Sequence, residues 1–237
     1  VLGNGSNLLV SDSGVRGLVL RLRKILDGIA FDGSKITVGA GASFPALAHA
    51  AASRGFAGIE FGAGVPGSVG GAIVMNAGWH AFEIGNVVDR VSYLEDDGTV
   101  VVYPHDACRF GYRTSAFRGR HGVVLEVELT LTPDEPNVVN HRLSRFAESR
   151  KTTQPTELPS CGSVFLKPEG DFAGRLIEAA GLKGRRIGAI EVSQKHANFF
   201  VNVGGGTAKD ALALVELAEH EVFAKFGVRL TREFEIW

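Results

Sequence analysis

Cysteine is scarce in this sequence. The 237 residues contain two cysteines, Cys108 and Cys161, which lie far apart in the chain. Two isolated cysteines cannot build a disulfide framework, and their spacing matches no zinc site. A small fold stapled by disulfides is therefore excluded, and the scarcity of cysteine favours a reducing compartment.

An excess of one charge and a long apolar run are also missing. The formal net charge is −1 at pH 7, with basic and acidic residues mixed along the chain. The sequence contains no basic patch of the kind that binds nucleic acid. It also contains no apolar stretch that approaches the roughly 18 residues of a membrane span. We therefore expect neither nucleic acid nor a membrane among the partners. The chain begins with Val1 instead of Met, and we expect the start of the protein to lie upstream.

Several catalytic motifs are absent as well. The histidines form no HExxH pair, so no metal site is predicted, and no glycine-rich loop continues into the Lys-Ser/Thr of a Walker loop. No Gly-x-Ser-x-Gly stretch predicts a serine hydrolase. A cysteine hydrolase would need a base beside Cys161, and His196 is a formal candidate that nothing in the sequence places there.

Capping residues and apolar periodicity predict the helices. Ser43 and Asp171 are typical N-caps, whereas Thr207 and Asp210 form a capping-box-like start. The predicted helices cover 44–54, 141–151, 172–180 and 208–226, and the glycines that fit their ends are Gly55, Gly181 and Gly227. The expected buried face of the first helix consists of Phe44, Leu47, Ala48 and Ala51. One face of the last helix carries Ala211, Leu214, Val215, Ala218, Val222 and Phe226.

Runs of branched and aromatic residues predict short strands, and residues 96–98 predict a hairpin turn. Helices and strands mix without a regular βαβ repeat, so the predicted fold class is α+β. In the last strand, Glu233 points away from the apolar face formed by Val228, Leu230, Phe234 and Ile236. The predicted strands cover 8–10, 17–22, 36–39, 87–94, 99–103, 122–131, 187–192, 197–203 and 228–236.

A segment with two prolines, 131–137, has no periodicity and is the candidate domain boundary. We expect a first domain at 1–135 and a second at 136–237. The final strand is expected to return to the first domain.

Two glycine-rich segments are candidate ligand loops. In Gly3–Asn7, small residues allow close backbone approach, and successive amides can form an anion-binding nest; a tight turn explains these residues equally well. In 61–78, ordering many glycines costs backbone entropy. A flat or phosphorylated ligand laid on this backbone would offset that cost, and a glycine-rich packing corner is the alternative.

A few further residues are candidates for chemistry. Cys161 and Ser163 are one glycine apart, and each residue type is more often a packing or turn residue than a reactive group. Arg113 follows Tyr112 and can clamp a carboxylate through two hydrogen bonds, although an ordinary surface arginine is the more common explanation. Glu233 lies on a polar strand face, where most glutamates are simply solvated.

Together, several short motifs resemble one known family. They occur in order along essentially the whole chain, which makes the set far more specific than any one motif. The family is that of UDP-N-acetylenolpyruvoylglucosamine reductase, the flavoenzyme MurB. The resemblance implies an FAD-binding domain of the PCMH type, shared with the vanillyl-alcohol-oxidase group, followed by an α+β substrate domain. The motifs are VLGNGSNLLVSD, GVPGSVGGAIVMNAG, GYRTS, SCGSVF, IGAIEVSQKHANFFVN and TREFEI.

The resemblance implies reduction of UDP-N-acetylenolpyruvoylglucosamine to UDP-N-acetylmuramate in peptidoglycan synthesis. FAD would be bound noncovalently, NADPH would be the co-substrate, and a monomer in the bacterial cytoplasm is expected. Arg113 would stabilise the charge that develops on the reacting group, Ser163 would donate a proton, and Glu233 would work with the arginine; Cys161 would only be a neighbour. The implied cofactor-binding residues are Gly3, Asn4, Gly5, Ser6, Asn7, Gly64, Val65, Gly67, Ser68, Gly71, Ala72, Asn76 and Val124. The implied substrate-binding residues are Tyr112, Arg150, Lys195 and Asn198.

The sequence departs from the family pattern in places. Thr153 stands where the family often has a basic residue, so we expect Arg150 or Lys151 to take over contacts to the diphosphate. Trp79 and His80 replace smaller residues and would alter the rim of the site. Family members also carry residues before the first motif, and the chain resembles the subgroup that lacks a tyrosine-bearing substrate loop.

Two alternatives belong to other classes. A flavin-dependent alcohol oxidase of the same superfamily would share the glycine loops but lack the arginine, serine and glutamate set. A non-catalytic module would bind a UDP-sugar without flavin.

Overall fold

The computed structural model describes residues 1–22, 24–79 and 81–237. They form two compact units: unit 1 is Val1–Asn4 with Val19–Ser149, and unit 2 is Gly5–Leu18 with Arg150–Trp237. The helices are α1 (Phe44–Ala52), α2 (Val69–Met75), α3 (Pro136–Thr153), α4 (Ala173–Ala179) and α5 (Ala208–Phe226), with short 3-10 turns at Glu60–Gly64, Ile84–Val87 and His105–Cys108. The strands are β1 (Leu8–Leu9), β2 (Ile29–Asp32), β3 (Lys35–Gly39), β4 (Phe56–Ala57), β5 (Gly78–Trp79), β6 (Phe82–Glu83), β7 (Val88–Leu94), β8 (Val100–Pro104), β9 (Val123–Thr130), β10 (Thr132–Pro133), β11 (Arg186–Ile187), β12 (Ile190–Val192), β13 (Phe200–Asn202) and β14 (Glu235–Ile236).

Unit 1 is built on a five-stranded antiparallel sheet with the order β2-β3-β9-β7-β8. Side chains alternate across each strand, so Ile36 and Val38 of β3 are buried beside Leu129 and Val127 of β9. These rows join apolar residues of α1 and α2 in one core cluster. The mixture of helices with a mainly antiparallel sheet confirms the α+β class.

The helix cap, the helix-ending glycine and the hairpin turn predicted in unit 1 are present. Ser43 Oγ accepts a hydrogen bond from the Ala46 amide at 3.4 Å, and the predicted buried face of α1 is at most 1% exposed. The helix ends at Ala52, before the predicted Arg54, and Gly55 takes up the left-handed conformation at φ 72°. The hairpin between β7 and β8 also forms at the predicted position.

The glycine-rich segment 61–78 is more ordered than predicted. It contains a 3-10 turn and helix α2 in place of a continuous loop. Ser68 Oγ accepts a hydrogen bond from the Gly71 amide at 3.2 Å, which caps the helix. Val69 and Ile73 are fully buried in the core, so apolar packing stabilises the helix despite its glycines.

Unit 2 combines the sheet β11-β12-β13 with α4 and α5. The capping box between Thr207 and Asp210 is present, and Gly227 ends α5 at φ 70°. Most of the predicted apolar face of α5 is buried or packed against the core cluster. Phe226 is the exception: it is the last residue of the helix and remains 39% exposed.

Two other predictions in unit 2 fail. Asp171 does not cap α4, which begins at Ala173; its carboxylate pairs with Arg175, whose Nε donates at 2.6 Å. Residues 228–236 do not form one strand. Thr231 and Glu233 hydrogen-bond the segment 164–166, whereas β14 pairs with β1, so the backbone partners change along the segment.

Further predicted elements also differ from the structure. Residues 17–22 form no strand: in the described residues this stretch contributes an isolated bridge from Arg21 to Leu2, and Leu18 is 85% exposed. Helix α3 begins at Pro136, since proline is well tolerated in the first helical turn. Residues 187–192 bend at Gly188 (φ 54°) between β11 and β12.

The compact units divide the chain between Ser149 and Arg150, further along than the predicted boundary. Segment 131–137 lies within unit 1, because β10 pairs with β4 and the start of α3 packs on α1 through Val139 and Leu143. The final strand pairs with β1, whose residues were assigned to the first domain by prediction but group with unit 2.

The N-terminal segment of unit 2 is tied to α5 by Asp12. Its two carboxylate oxygens accept hydrogen bonds from the amides of Ala208 (2.7 Å) and Lys209 (3.0 Å), in the first turn of the helix. Such bonds satisfy amides that have no partner inside the helix.

We expect Asp12→Ala to lower the free energy of unfolding by about 1–2 kcal/mol, the usual cost of losing a helix cap. Urea denaturation measures this loss. Asp171→Ala is the control, because it removes a half-buried carboxylate of the same unit that pairs with Arg175 and bonds no amide of α5. If Asp12→Ala lowers the free energy of unfolding no more than the control does, the cap contributes nothing to stability.

Candidate active site

The first glycine turn and the start of α2 lie together in unit 1. A Cβ on Gly3 would clash with Ser68 Oγ, and a Cβ on Gly70 would come within 2.9 Å of the Cβ of Ala40. Gly71 is exposed beside them. Both predicted cofactor loops therefore present closely approached backbone with few side chains.

The first amides of α2 are already used within the protein. Val69 donates to the Ala42 carbonyl at 2.9 Å, Gly70 to the Ala40 carbonyl at 2.8 Å, and Gly71 to Ser68 Oγ. An anion-binding nest at this loop would therefore depend on other amides, which lie before the helix.

The remainder of the first predicted loop belongs to unit 2. Gly5 takes a left-handed conformation at φ 69°. Asn7 Nδ2 donates to the Glu233 carbonyl at 3.3 Å, and the Asn7 carbonyl accepts from the Glu235 amide at 3.0 Å. Asn7 therefore holds the backbone that carries Glu233, a structural role that its place in the glycine turn did not indicate.

Asn76, a predicted cofactor residue, is 1% exposed and ends α2 in the left-handed conformation. Its Nδ2 donates to Glu83 Oε2 at 2.8 Å and to the Gly111 carbonyl at 3.0 Å, while its Oδ1 accepts from the Gly85 amide at 2.9 Å. The side chain thus joins three chain segments. Val124, also predicted to bind cofactor, is a core residue of β9.

Arg113 lies in the short loop that Asn76 braces through Gly111. Its backbone is left-handed at φ 54°, which is unusual for a residue with a side chain. Its Nη2 donates to the Gly78 carbonyl at 2.9 Å, and its guanidinium lies 5.2 Å from the centre of the Tyr112 ring. Its backbone carbonyl accepts from Arg118 at 2.9 Å. The loop is therefore fixed from several sides.

Ser163 and Glu233 lie on neighbouring backbone segments of unit 2. Ser163 forms an isolated antiparallel bridge with Phe199, and Phe165 forms another with Arg232. The Glu233 amide donates to the Val164 carbonyl at 2.9 Å. Two of the three predicted catalytic residues are thus brought together inside one unit, although they are far apart in sequence.

Cys161 is partly buried next to the same segment. Burial, with a smaller contribution from the negative charge of Glu233, raises the pKa of its thiol to about 11. The thiol therefore stays protonated at neutral pH, and a protonated thiol is a poor nucleophile. Buried Cys108 behaves alike, since burial raises the pKa of that thiol to about 11.

Two family models match the chain. The model described as the C-terminal domain of UDP-N-acetylenolpyruvoylglucosamine reductase matches residues 154–237, and that of an FAD binding domain matches residues 1–103. A reductase of this name from Symbiobacterium thermophilum is 46% identical over 237 residues, which are 100% of this chain and 77% of that protein. Another, from Rubrobacter xylanophilus, is 47% identical over 100% of this chain and 79% of its own length. The chain belongs to the UDP-N-acetylenolpyruvoylglucosamine reductase family.

A solved structure of this family extends the agreement to the fold. The crystal structure of the Thermus caldophilus reductase (MurB) matches with a TM-score of 0.83 and 36% identity, covering 100% of this chain and 84% of that one. The predicted family, the FAD-binding domain and the α+β class are confirmed. These relatives favour the reductase over the alcohol oxidase and over the non-catalytic module.

Within this reductase family member, the predicted substrate residues have different surroundings. Tyr112 is 51% exposed. Burial lowers the pKa of Arg150. Lys195 Nζ donates to the Lys151 carbonyl at 2.6 Å and lies 3.8 Å from Glu157 Oε2. Asn198 is buried, and its amide is bonded to the protein backbone.

The structure describes two of the three residues that depart from the family pattern. Thr153 is exposed at the end of α3, and the Trp79 ring packs on Phe146 with centroids 5.7 Å apart. His80 lies outside the described residues. Among the described residues, no group of three acidic, histidine or cysteine side chains is placed to hold a metal ion. Nor do they include a helix long and apolar enough to cross a membrane.

Proposed function

We propose that this chain reduces UDP-N-acetylenolpyruvoylglucosamine to UDP-N-acetylmuramate, using noncovalently bound FAD and NADPH as the reductant. Similarity to reductases over the whole chain supports this activity. The structural observation that carries the proposal is the pairing of the Ser163 and Glu233 segments in unit 2. We further propose a monomer in the bacterial cytoplasm, with no nucleic acid or membrane partner.

The two glycine-rich segments suit a flavin nucleotide. The turn at Gly3 and the start of α2 leave no room for larger side chains, and Gly71 is exposed at the same place. We propose that Gly3–Asn7 and Gly64–Ala72 hold the cofactor, with Val65, Gly67 and Ser68 among the contacts. When bound, FAD supplies the hydride that adds to the terminal carbon, C3, of the enolpyruvyl group.

Arg113 is proposed to stabilise the negative charge that develops on the substrate after hydride transfer. Addition of hydride to C3 places negative charge on C2, from which it spreads into the substrate carboxylate. A preorganised guanidinium in a site that excludes water stabilises such charge far better than solvent does. The left-handed backbone of Arg113 and its bond to Gly78 supply that preorganisation.

Ser163 is proposed to deliver the proton that completes the reaction. Its hydroxyl proton passes to C2, and the C2–H bond forms as the O–H bond breaks, so the product gains one hydride and one proton. A serine hydroxyl is a weak acid in water, so the transfer depends on a nearby cation and on exclusion of water. Glu233, on the adjacent segment, is proposed to work with Arg113 at the same group.

The proposal is tested with the enolpyruvyl substrate, NADPH and the purified full-length protein. We expect NADPH consumption that requires the substrate and matches product formation in equal amounts. Acid precipitation should release the flavin into the supernatant, since no covalent bond holds it. Consumption of oxygen and an alcohol without NADPH would instead indicate the oxidase, and binding of UDP-sugar by a colourless protein would indicate the non-catalytic module.

A further inference from the structure

Asn198 makes an unusual pair of contacts in unit 2. Its side chain is buried, with 7% of the residue exposed. Its Nδ2 donates to the Phe165 carbonyl at 2.8 Å, and its Oδ1 accepts from the Phe165 amide at 3.0 Å. One amide side chain thus satisfies both backbone groups of one residue, as a neighbouring strand would.

These two hydrogen bonds add to the backbone bonds that fix the segment beginning at Ser163. On one side, the Val164 amide donates to the Asn198 carbonyl at 2.8 Å. On the other side, the Leu166 amide donates to the Thr231 carbonyl, and the Val164 carbonyl accepts a hydrogen bond from the Glu233 amide. Residues 163–166 therefore lie between two backbone partners, and Asn198 supplies one of them.

We propose that Asn198 is a positioning residue, which aims the Ser163 hydroxyl by fixing the backbone of Val164 and Phe165. The inference rests on the proposed function of Ser163. It differs from the substrate contact implied by the family resemblance, because the Asn198 amide is already occupied by Phe165.

Only an amide of this length meets both requirements. An aspartate retains an acceptor for the Phe165 amide but has no proton to donate to the Phe165 carbonyl. It would leave that carbonyl unpaired and place a negative charge against it, both of which are unfavourable in a buried position. Asn198→Asp is therefore nearly isosteric and removes one defined bond.

Asn202 provides a matched control in the same unit. Its Oδ1 accepts from the amides of Gly204 (2.9 Å) and Gly206 (3.0 Å), and its Nδ2 donates to the Gly206 carbonyl at 3.3 Å. Asn202→Asp makes the same chemical change at a backbone turn. Among the described residues, its side chain has no hydrogen bond to residues 163–166.

The test compares two half-reactions by stopped-flow flavin absorbance in the holoenzyme. We expect Asn198→Asp to slow reoxidation by the substrate roughly 10- to 100-fold, the effect of displacing a reacting group by up to about 1 Å. Flavin reduction by NADPH and the substrate KM should stay unchanged. Asn202→Asp should leave both half-reactions intact.

A double mutant distinguishes an effect of Asn198 on the position of Ser163 from a general disruption of the structure. In a Ser163→Ala background, Asn198→Asp should slow reoxidation by no more than about twofold, because coupled residues are not additive. An equal slowing in both backgrounds, or a raised KM with normal turnover, would overturn the inference. If Ser163→Ala itself reoxidises normally, the proposed function of Ser163 fails instead.

A second variant covers the case in which Asn198→Asp does not fold. Asn198→Gln retains both the donor and the acceptor, while its extra methylene displaces the Phe165 backbone. We expect it to slow reoxidation relative to the unaltered protein, while flavin reduction by NADPH keeps its normal rate. Equal slowing of both half-reactions by Asn198→Gln would contradict a role that acts through Ser163.

Discussion

Replacing Ser163 with alanine should slow reoxidation of the flavin by the substrate about 10²- to 10⁴-fold, the range that general acid catalysis supplies. The hydroxyl is needed only when a proton must reach C2 of the substrate. Reduction of the flavin by NADPH comes earlier and does not use that proton, so its rate should stay near normal. Stopped-flow absorbance of the flavin resolves the two steps.

Cys161→Ala is the matched control for this prediction, because the two residues share one loop. The Cys161 thiol has a pKa of about 11, so at neutral pH it offers almost no thiolate. We expect the variant to reoxidise at nearly the normal rate, with a small loss of stability from lost packing. If Cys161→Ala abolishes reoxidation while Ser163→Ala does not, the assignment is reversed.

Replacing Arg113 with alanine should lower kcat about 10²- to 10³-fold, the usual effect of removing one group that stabilises transition-state charge. The KM for the substrate should also rise, since the guanidinium would bind the carboxylate before reaction. Steady-state kinetics measure both constants, and kcat/KM gives the total loss. As with Ser163, flavin reduction by NADPH should be spared.

Two further variants define what Arg113 contributes. Arg113→Lys should recover only part of the activity, because an ammonium carries the charge but lacks the planar fork that binds a carboxylate through two bonds. Arg90→Ala removes an exposed arginine of the same unit that pairs with Glu128, and it should leave turnover unchanged. Normal kcat in Arg113→Ala would remove this residue from the proposed mechanism.

Some features of the site could be predicted from the sequence and others could not. Residue types and spacing left Arg113, Ser163 and Glu233 as ordinary surface or turn residues, and only the ordered set of motifs assigned them roles. The pairing of the Ser163 and Glu233 segments lay beyond sequence reasoning, because the two segments are separated by most of unit 2. The structural use of Asn7, Asn76 and Asn198 was missed for a related reason: an asparagine in a glycine-rich or loop motif looks the same whether its amide meets a ligand or a backbone.

Local interactions account for what the sequence determined by itself. The cap at Ser43, the capping box of α5 and the hairpin at 96–98 formed as predicted. Each depends on residues within a few positions of one another, so its physics is contained in a short window.

Long-range contacts decided the rest. Residues 17–22 have a strand-like composition but lack a partner strand in the described part of the chain, and 228–236 changes partners along its length. The proline-rich segment 131–137 became part of unit 1 because β10 found a partner in β4. A backbone segment becomes a strand only when another supplies its hydrogen bonds, and burial of distant side chains determines which one does.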